Sequence, residues 1–159
     1  MDALVLMLLL LTANGSPILV RNLLGDRWGT PLDAGRSLAD GHRLLGDSKT
    51  WRGLAAAVFC TTLVATVIGW PWEIGATVGC FAMLGDALSS FIKRRLGRPS
   101  SATAPGLDHI PESLLPLLVC RPLLQLSWTE VVLLSLAFMF ANILLSRWLH
   151  RMGVRRHPH

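Results

Sequence analysis

The chain has 159 residues, of which 52% are hydrophobic and only 16% charged; it contains no tyrosine, and its mean hydropathy is +0.48. A water-soluble domain of this length needs a more polar surface, so the composition excludes an ordinary soluble globular fold. The net charge of +5 needs no nucleic-acid partner, because cationic loops facing anionic lipid account for it.

Five apolar runs divide the chain. The first covers 3–13, is interrupted by Asn14-Gly15-Ser16-Pro17 and resumes at 18–24. The second covers 54–72. The third, 74–92, is interrupted only by Asp86 and small polar residues. The fourth, 114–126, is Pro-rich and borrows flanking residues 111–127. The fifth covers 131–149. A bilayer core takes about 20 helical residues. Runs two, three and five meet that length, and run one does so with its interruption included. The flank of the first run carries Asp2 and no Lys or Arg, so it is expected to be a spanning helix and not a signal peptide. The expectation is an all-α integral membrane protein with five transmembrane helices, the first broken and the fourth short. Residues 1–150 would form a single membrane-embedded domain and 151–159 a basic tail.

The basic residues set the orientation. With the N-terminus outside, segments 21–52, 93–113 and 147–159 are cytoplasmic and hold 14 of the 15 Lys and Arg residues, Arg121 being the exception. This points to a multi-pass protein of the cell inner (cytoplasmic) membrane, with two functional cytoplasmic loops. Trp51, Trp70, Trp72 and Trp128 fall at run ends, as an aromatic belt does. Cys60, Cys80 and Cys120 lie in apolar runs without metal-ligand spacing and read as buried small hydrophobes.

Asp86 is the residue with the most chemistry per cost. A carboxylate inside a spanning segment is a functional-site hypothesis by default, and here Lys93-Arg94-Arg95 follow within two turns. Counted at about 1.5 Å per residue from the outer end, Asn14, Asp86 and Asn142 all lie roughly 17–20 Å deep. They either line one cavity open to the cytoplasm or, for the two asparagines, act as interhelical hydrogen-bonding glue. Gly75, Gly79, Ala82, Asp86, Ser89/Ser90 and Lys93 recur every three to four residues and so share a face. The Gly75–Gly79 pair suits close helix packing, within one chain or between two.

The first loop ends in Gly46-Asp47-Ser48-Lys49-Thr50-Trp51-Arg52-Gly53. Ser48, Lys49, Thr50 and Arg52 offer hydroxyls and two cations within five residues. Ser48 or Thr50 also suits the N-cap of the second helix, with backbone N–H groups left to receive an anion. A P-loop is excluded, because Asp47 and Ser48 intervene between Gly46 and Lys49 and no strand precedes the segment. The second loop, 93–112, starts with the basic cluster and ends in Pro105-Gly106-Leu107-Asp108-His109-Ile110-Pro111-Glu112, a carboxylate at a helix entrance.

Together these motifs resemble the CDP-archaeol synthase family, within the CDP-diacylglycerol synthase group of membrane cytidylyltransferases. The matching parts are Ala13-Asn14-Gly15-Ser16-Pro17, Pro31-Leu32-Asp33, the stretch from Asp40 to Gly53 with its Ser48-Lys49-Thr50-Trp51-Arg52-Gly53, and Gly85-Asp86 with Ser90-Phe91 and Lys93-Arg94-Arg95. At the second acidic site the family pattern reads Asp-Gln-x-Asp. Here it is Asp108-His109-Ile110-Pro111, with Glu112 one place later. Either Glu112 substitutes for the second carboxylate or the metal relies on Asp86 and Asp108.

The resemblance implies transfer of a cytidylyl group from CTP to a membrane lipid phosphate, phosphatidate or an isoprenoid ether analogue, with release of pyrophosphate. Mg²⁺ is the implied cofactor, with Asp86, Asp108 and Glu112 as candidate ligands. Asp86, Lys49 and Lys93 are the expected catalytic groups. Ser48, Lys49, Thr50, Arg52, Ser90, Lys93 and Arg94 are expected at the nucleotide and phosphates, and Asn14 at the lipid headgroup. Arg121 either holds a lipid phosphate or snorkels outward. The competing readings are a non-catalytic lipid- or partner-binding homologue and a small transporter.

Overall fold

A computed structural model of the chain describes residues 2–99 and 104–151. Its elements are five α-helices: α1 (Asp2–Leu24), α2 (Trp51–Val67), α3 (Trp72–Arg95), α4 (Pro105–Leu124) and α5 (Trp128–Arg151). The expected tail from 152 onward lies outside the described residues. Among the described residues, α1, α3 and α5 up to Leu145 are long and apolar enough to cross a membrane. α2, with 17 residues, falls just short. The apolar pattern runs on to Trp72, but the helix stops at Ile68. There Gly69 turns the chain at φ +83 and Pro71 follows.

Two expectations are corrected. The first helix is not broken: α1 runs through Asn14-Gly15-Ser16-Pro17, with Pro17 inside it. Proline deletes a single backbone donor, and a helix packed against neighbours absorbs that loss. Pro17 sits against α2, where a Cβ on Gly53 would lie 3.4 Å from its own Cβ. Nor is the fourth helix short. α4 has 20 residues and starts at Pro105, whose missing N–H costs nothing at a helix start. The Asp108-to-Glu112 segment expected in a loop is therefore helical.

α3 is the central element, packed against α2 on one side and α4 on the other, while α1 covers α2 and α5 covers α4. The Gly75–Gly79 pair serves contacts within the chain. A Cβ on Gly75 would stand 2.8 Å from Thr62 Cα, and one on Gly79 would stand 2.8 Å from Val58 Cα. Only Cys120 of the three cysteines is buried; Cys80 is exposed on the bundle exterior.

The interior is polarised along the helices. The apolar core joins Leu6, Leu9 and Leu10 of α1, Ala65 of α2, Ile74 and Val78 of α3, Leu117 and Cys120 of α4, and Val131, Leu134 and Phe138 of α5. All lie toward the end away from the two long loops. Most buried polar side chains crowd the opposite end: Ser16, Ser89, Ser90, Lys93, Arg94, His109, Glu112, Ser113 and Asn142. The loop 25–50 lies at that end, with residues 96–99 after α3 beside it.

Candidate active site

The first loop folds around one carboxylate. Asp33 is buried and accepts hydrogen bonds from the backbone N–H groups of Gly35, Leu45 and Gly46 at 3.0–3.1 Å. It also takes two from Arg43, at 2.8 and 3.2 Å. These bonds hold the Asp33 carboxyl well below the usual carboxylate range, with the Arg43 guanidinium the largest cause. The resulting turn presents Gly46-Asp47-Ser48-Lys49 to the bundle. Thr50 caps α2, its hydroxyl accepting from Gly53 N at 3.2 Å. That settles which of the two hydroxyls is the cap. Thr50 Oγ1 keeps its own proton to donate.

Lys49 reaches across to α3, where its Nζ lies 2.5 Å from both carboxylate oxygens of Asp86. Both side chains are mostly buried, 17% and 20% exposed. Glu112 of α4 comes in beside Asp86, its backbone packed against Gly85, and Glu112 Oε2 accepts the side-chain N–H of Asn14 on α1. Sequence spacing expected Asn14 level with Asp86. The structure brings both to one buried group, with Glu112 as the link.

The approach of α4 to α3 depends on Gly85. A Cβ there would collide with the carbonyl of Pro111 and come within 2.8 Å of Glu112 N. Only glycine lets the two backbones meet one residue before Asp86. Pro111, which occupies the place of the family's second carboxylate, is thus the surface that Gly85 touches.

The three cations at the end of α3 diverge. Lys93 turns to α4 and pairs with Asp108 at 2.6 Å. Asp108 also caps its own helix, accepting from Ala104 N at 2.7 Å. Arg95 ties down the first loop: it pairs with Asp40 at 2.6 Å and donates to the carbonyls of His42 and Arg43 at 3.2 and 2.6 Å. Its guanidinium lies over the Phe91 ring at 5.2 Å. Arg94 is 6% exposed, and its Nε has no hydrogen-bond partner. It faces an open cavity of about 320 Å³ shared with His42, Arg43, Gly46, Asp47 and Arg98.

A second, narrower cavity lies on the other side of the Gly46–Lys49 turn. Ser48, Lys49, Thr50 and Asp86 supply its polar wall, and Pro17, Leu54, Met83 and Ala87 are among its apolar lining. Ser90 is buried on α3. Arg52 is held elsewhere, donating to the Arg27 carbonyl at the start of the loop. Arg121 stacks on Trp128 at 4.2 Å, far along α4 from these groups.

This arrangement is a membrane-level acidic centre with cations on two sides, capped by a basic pocket. A family model described as CarS-like CDP-archaeol synthase matches residues 1–74 and 72–157. The chain belongs to the CDP-archaeol synthase family. The CDP-archaeol synthase of Thermococcus kodakarensis is 33% identical over 157 residues, covering 92% of this chain and 88% of the relative. That of Hyperthermus butylicus is 36% identical over 136 residues, covering 77% and 78%. A solved structure of an intramembrane enzyme for archaeal membrane lipid biosynthesis superposes with a TM-score of 0.74 at 32% identity. The match covers 91% of this chain and 92% of that one. Family membership makes the chain a multi-pass membrane enzyme, a CTP-dependent cytidylyltransferase of lipid synthesis.

Asp33, Arg95, Gly85 and His109 carry more of the site than the sequence reading assigned them. Asp33 and Arg95 lay inside matching motifs without a role, since a loop's internal hydrogen bonds leave no periodic signal. His109 carried a weak signal, one turn before Glu112 on what proves to be the same helix.

Proposed function

We propose that the protein catalyses Mg²⁺-dependent transfer of the cytidylyl group of CTP to a membrane lipid phosphate, releasing pyrophosphate on the cytoplasmic side of the inner membrane. The orientation has the N-terminus outside and the two long loops in the cytoplasm. The observation that carries the reading is the buried Lys49–Asp86 pair with Glu112 beside it. Two carboxylates placed side by side repel unless a proton or a cation lies with them. Such a donor set fits a hard divalent ion held by one or two carboxylates plus substrate phosphates. Asp86 and Glu112 are the ligands of this proposal. Asp108, pairing with Lys93, is the third candidate. An Mg²⁺ ion held by these carboxylates would supply Lewis-acid polarisation of the α-phosphate and charge neutralisation for the leaving pyrophosphate.

The two cavities divide the substrates. The apolar wall of Pro17, Leu54, Met83 and Ala87 suits the lipid end, with Lys49 and Asn14 near the headgroup. The Arg94 cavity suits the water-soluble nucleotide and its phosphates. A lipid phosphate oxygen forms a bond to the α-phosphorus as the bond to the β-phosphate bridging oxygen breaks, and pyrophosphate leaves with that electron pair. No general base is needed, because the nucleophile is already an anion. The obstacle is repulsion between two polyanions, which Lys49, Lys93 and Arg94 reduce. Ser48, Thr50 and Ser90 offer hydroxyl donors, whereas Arg52, turned to the Arg27 carbonyl, stands outside this set.

The test is to incubate purified protein in lipid with Mg²⁺ and each NTP, offering phosphatidate and an isoprenoid ether lipid phosphate. The expected product, identified by mass, is a CDP-lipid formed with one pyrophosphate per turnover. The relatives' shared name points to archaeol as the tail. A protein that releases no pyrophosphate with either lipid overturns the reading in favour of a lipid-binding homologue.

A further inference from the structure

Glu112 is a long side chain with three rotatable bonds, and its value beside Asp86 depends on staying there. Asn14 holds it from one side, donating to Oε2. On the other side, one turn back on α4, stands His109. Its Nδ1 is 3.9 Å from the same Oε2, too far for a hydrogen bond and close enough to occupy the space into which the carboxylate would swing. His109 is itself fixed. Asn142 of α5 brings its side-chain nitrogen to 3.2 Å from His109 Nδ1. His109, Glu112 and Asn142 are all buried, at 4–6% exposed. Four helices thus meet through one polar series: Asp86 on α3, Glu112 and His109 on α4, Asn14 on α1 and Asn142 on α5.

We propose that His109, held by Asn142, is a positioning residue that confines Glu112 beside Asp86 and so sets the divalent-cation affinity of the site. The proposal rests on the two-carboxylate reading above. It assigns a use to Asn142, which touches neither cavity, and to the imidazole that follows Asp108. Groups that orient a metal ligand without touching the metal typically change its affinity by about 10–100-fold when removed.

The experiment measures Mn²⁺ binding by electron paramagnetic resonance on the full-length protein in detergent with CTP, so that turnover is not the readout. His109→Ala opens the space beside Glu112 and is expected to weaken Mn²⁺ about tenfold or more. His109→Gln keeps the bulk and an acceptor for Asn142, and is expected to bind nearly as the wild type does. In a Glu112→Gln background, His109→Ala is expected to add no further loss, because the group it positions is already gone. Should His109→Ala fail to fold, Asn142→Leu, which keeps the ring but frees it, is expected to weaken Mn²⁺ in the same direction. Wild-type affinity in His109→Ala and in Asn142→Leu, or an equal loss in the Glu112→Gln background, overturns the positioning role. A wild-type protein that binds no Mn²⁺ with CTP overturns instead the two-carboxylate reading beneath it.

Discussion

Lys49 Nζ stands 2.5 Å from both oxygens of Asp86, joining the end of the first loop to the middle of the bundle. Neither charge is tolerable there alone. Breaking a buried pair from one side leaves an uncompensated charge and costs about 3–5 kcal/mol. Lys49→Met is therefore expected to lower thermal stability more than Asp86→Asn, which leaves a polar amide beside a cation that can reach toward water. For activity the order reverses: Asp86→Asn abolishes CTP-dependent product while the protein still inserts. Near-normal turnover in Asp86→Asn would remove Asp86 from the catalytic centre.

Gly85 sets how close α4 comes. Gly85→Val places a branched side chain against the Pro111 carbonyl and Glu112 N, and overpacking of this kind costs about 1–3 kcal/mol. The backbone cannot yield as a flexible side chain would, so α4 must move and carry Glu112 away from Asp86. The expected signature is a large fall in kcat with Mg²⁺ dependence shifted to higher concentration. Unchanged Mg²⁺ dependence would mean that Glu112 is not a ligand.

Arg94 and Arg95 are neighbours with different tasks. Arg94→Gln is expected to raise KM for CTP by about tenfold, the loss of one charge-assisted contact, with KM for the lipid phosphate unchanged. Arg95→Gln frees the first loop from Asp40 and from the His42 and Arg43 carbonyls. It is expected to raise hydrogen exchange across 36–46 before it affects nucleotide affinity. Steady-state kinetics with each substrate varied in turn, beside exchange on the same variants, separates the two.

Asp33 gives the first loop a pH dependence whose sign follows from its depressed proton affinity. The unfolded chain binds a proton near the ordinary carboxylate value of about 3.9, and the folded loop binds it only at lower pH. Its stabilisation is fully present above about pH 4 and is lost as pH falls below that value. Exchange protection of the Leu45 and Gly46 amides should fall progressively as pH drops below about 4 in the wild type. In Asp33→Asn it should be low throughout. Equal protection in the two proteins at pH 7 would contradict the role of Asp33 as the loop's organiser.

Thr50 is asked to cap α2 and to face the cavity. Thr50→Ala removes the acceptor for Gly53 N and should cost about 1 kcal/mol. Thr50→Ser keeps both functions and should restore stability and turnover together, as a melting curve and a rate on the same sample would show.

The sequence exposed the bundle because lipid burial acts residue by residue. A run such as 74–92 announces its helix without knowledge of neighbours. It also exposed Asp86, Lys49 and Lys93, since charges beside apolar runs are conspicuous. It misjudged two places where local signals conflict with packing. Gly15 and Pro17 signal a break in isolation, yet α1 continues because α2 supports it. The polar start of α4 reads as a loop, yet Asp108, His109 and Glu112 are helical because the interior they face is itself polar.

Composition and pattern alone determined a five-helix membrane protein and marked out its charged segments, and the motifs in those segments carried the resemblance to its family. Only the tertiary structure decided that Lys93, Arg94 and Arg95 part toward Asp108, an open cavity and the first loop. It alone brought Glu112 into the buried interior against Asn14 and put Pro111 against Gly85. The reason is geometric. A run of like charges is visible in one dimension, but the direction of each depends on which helix lies opposite. That choice was made by glycines such as Gly85, whose contribution is the absence of a side chain.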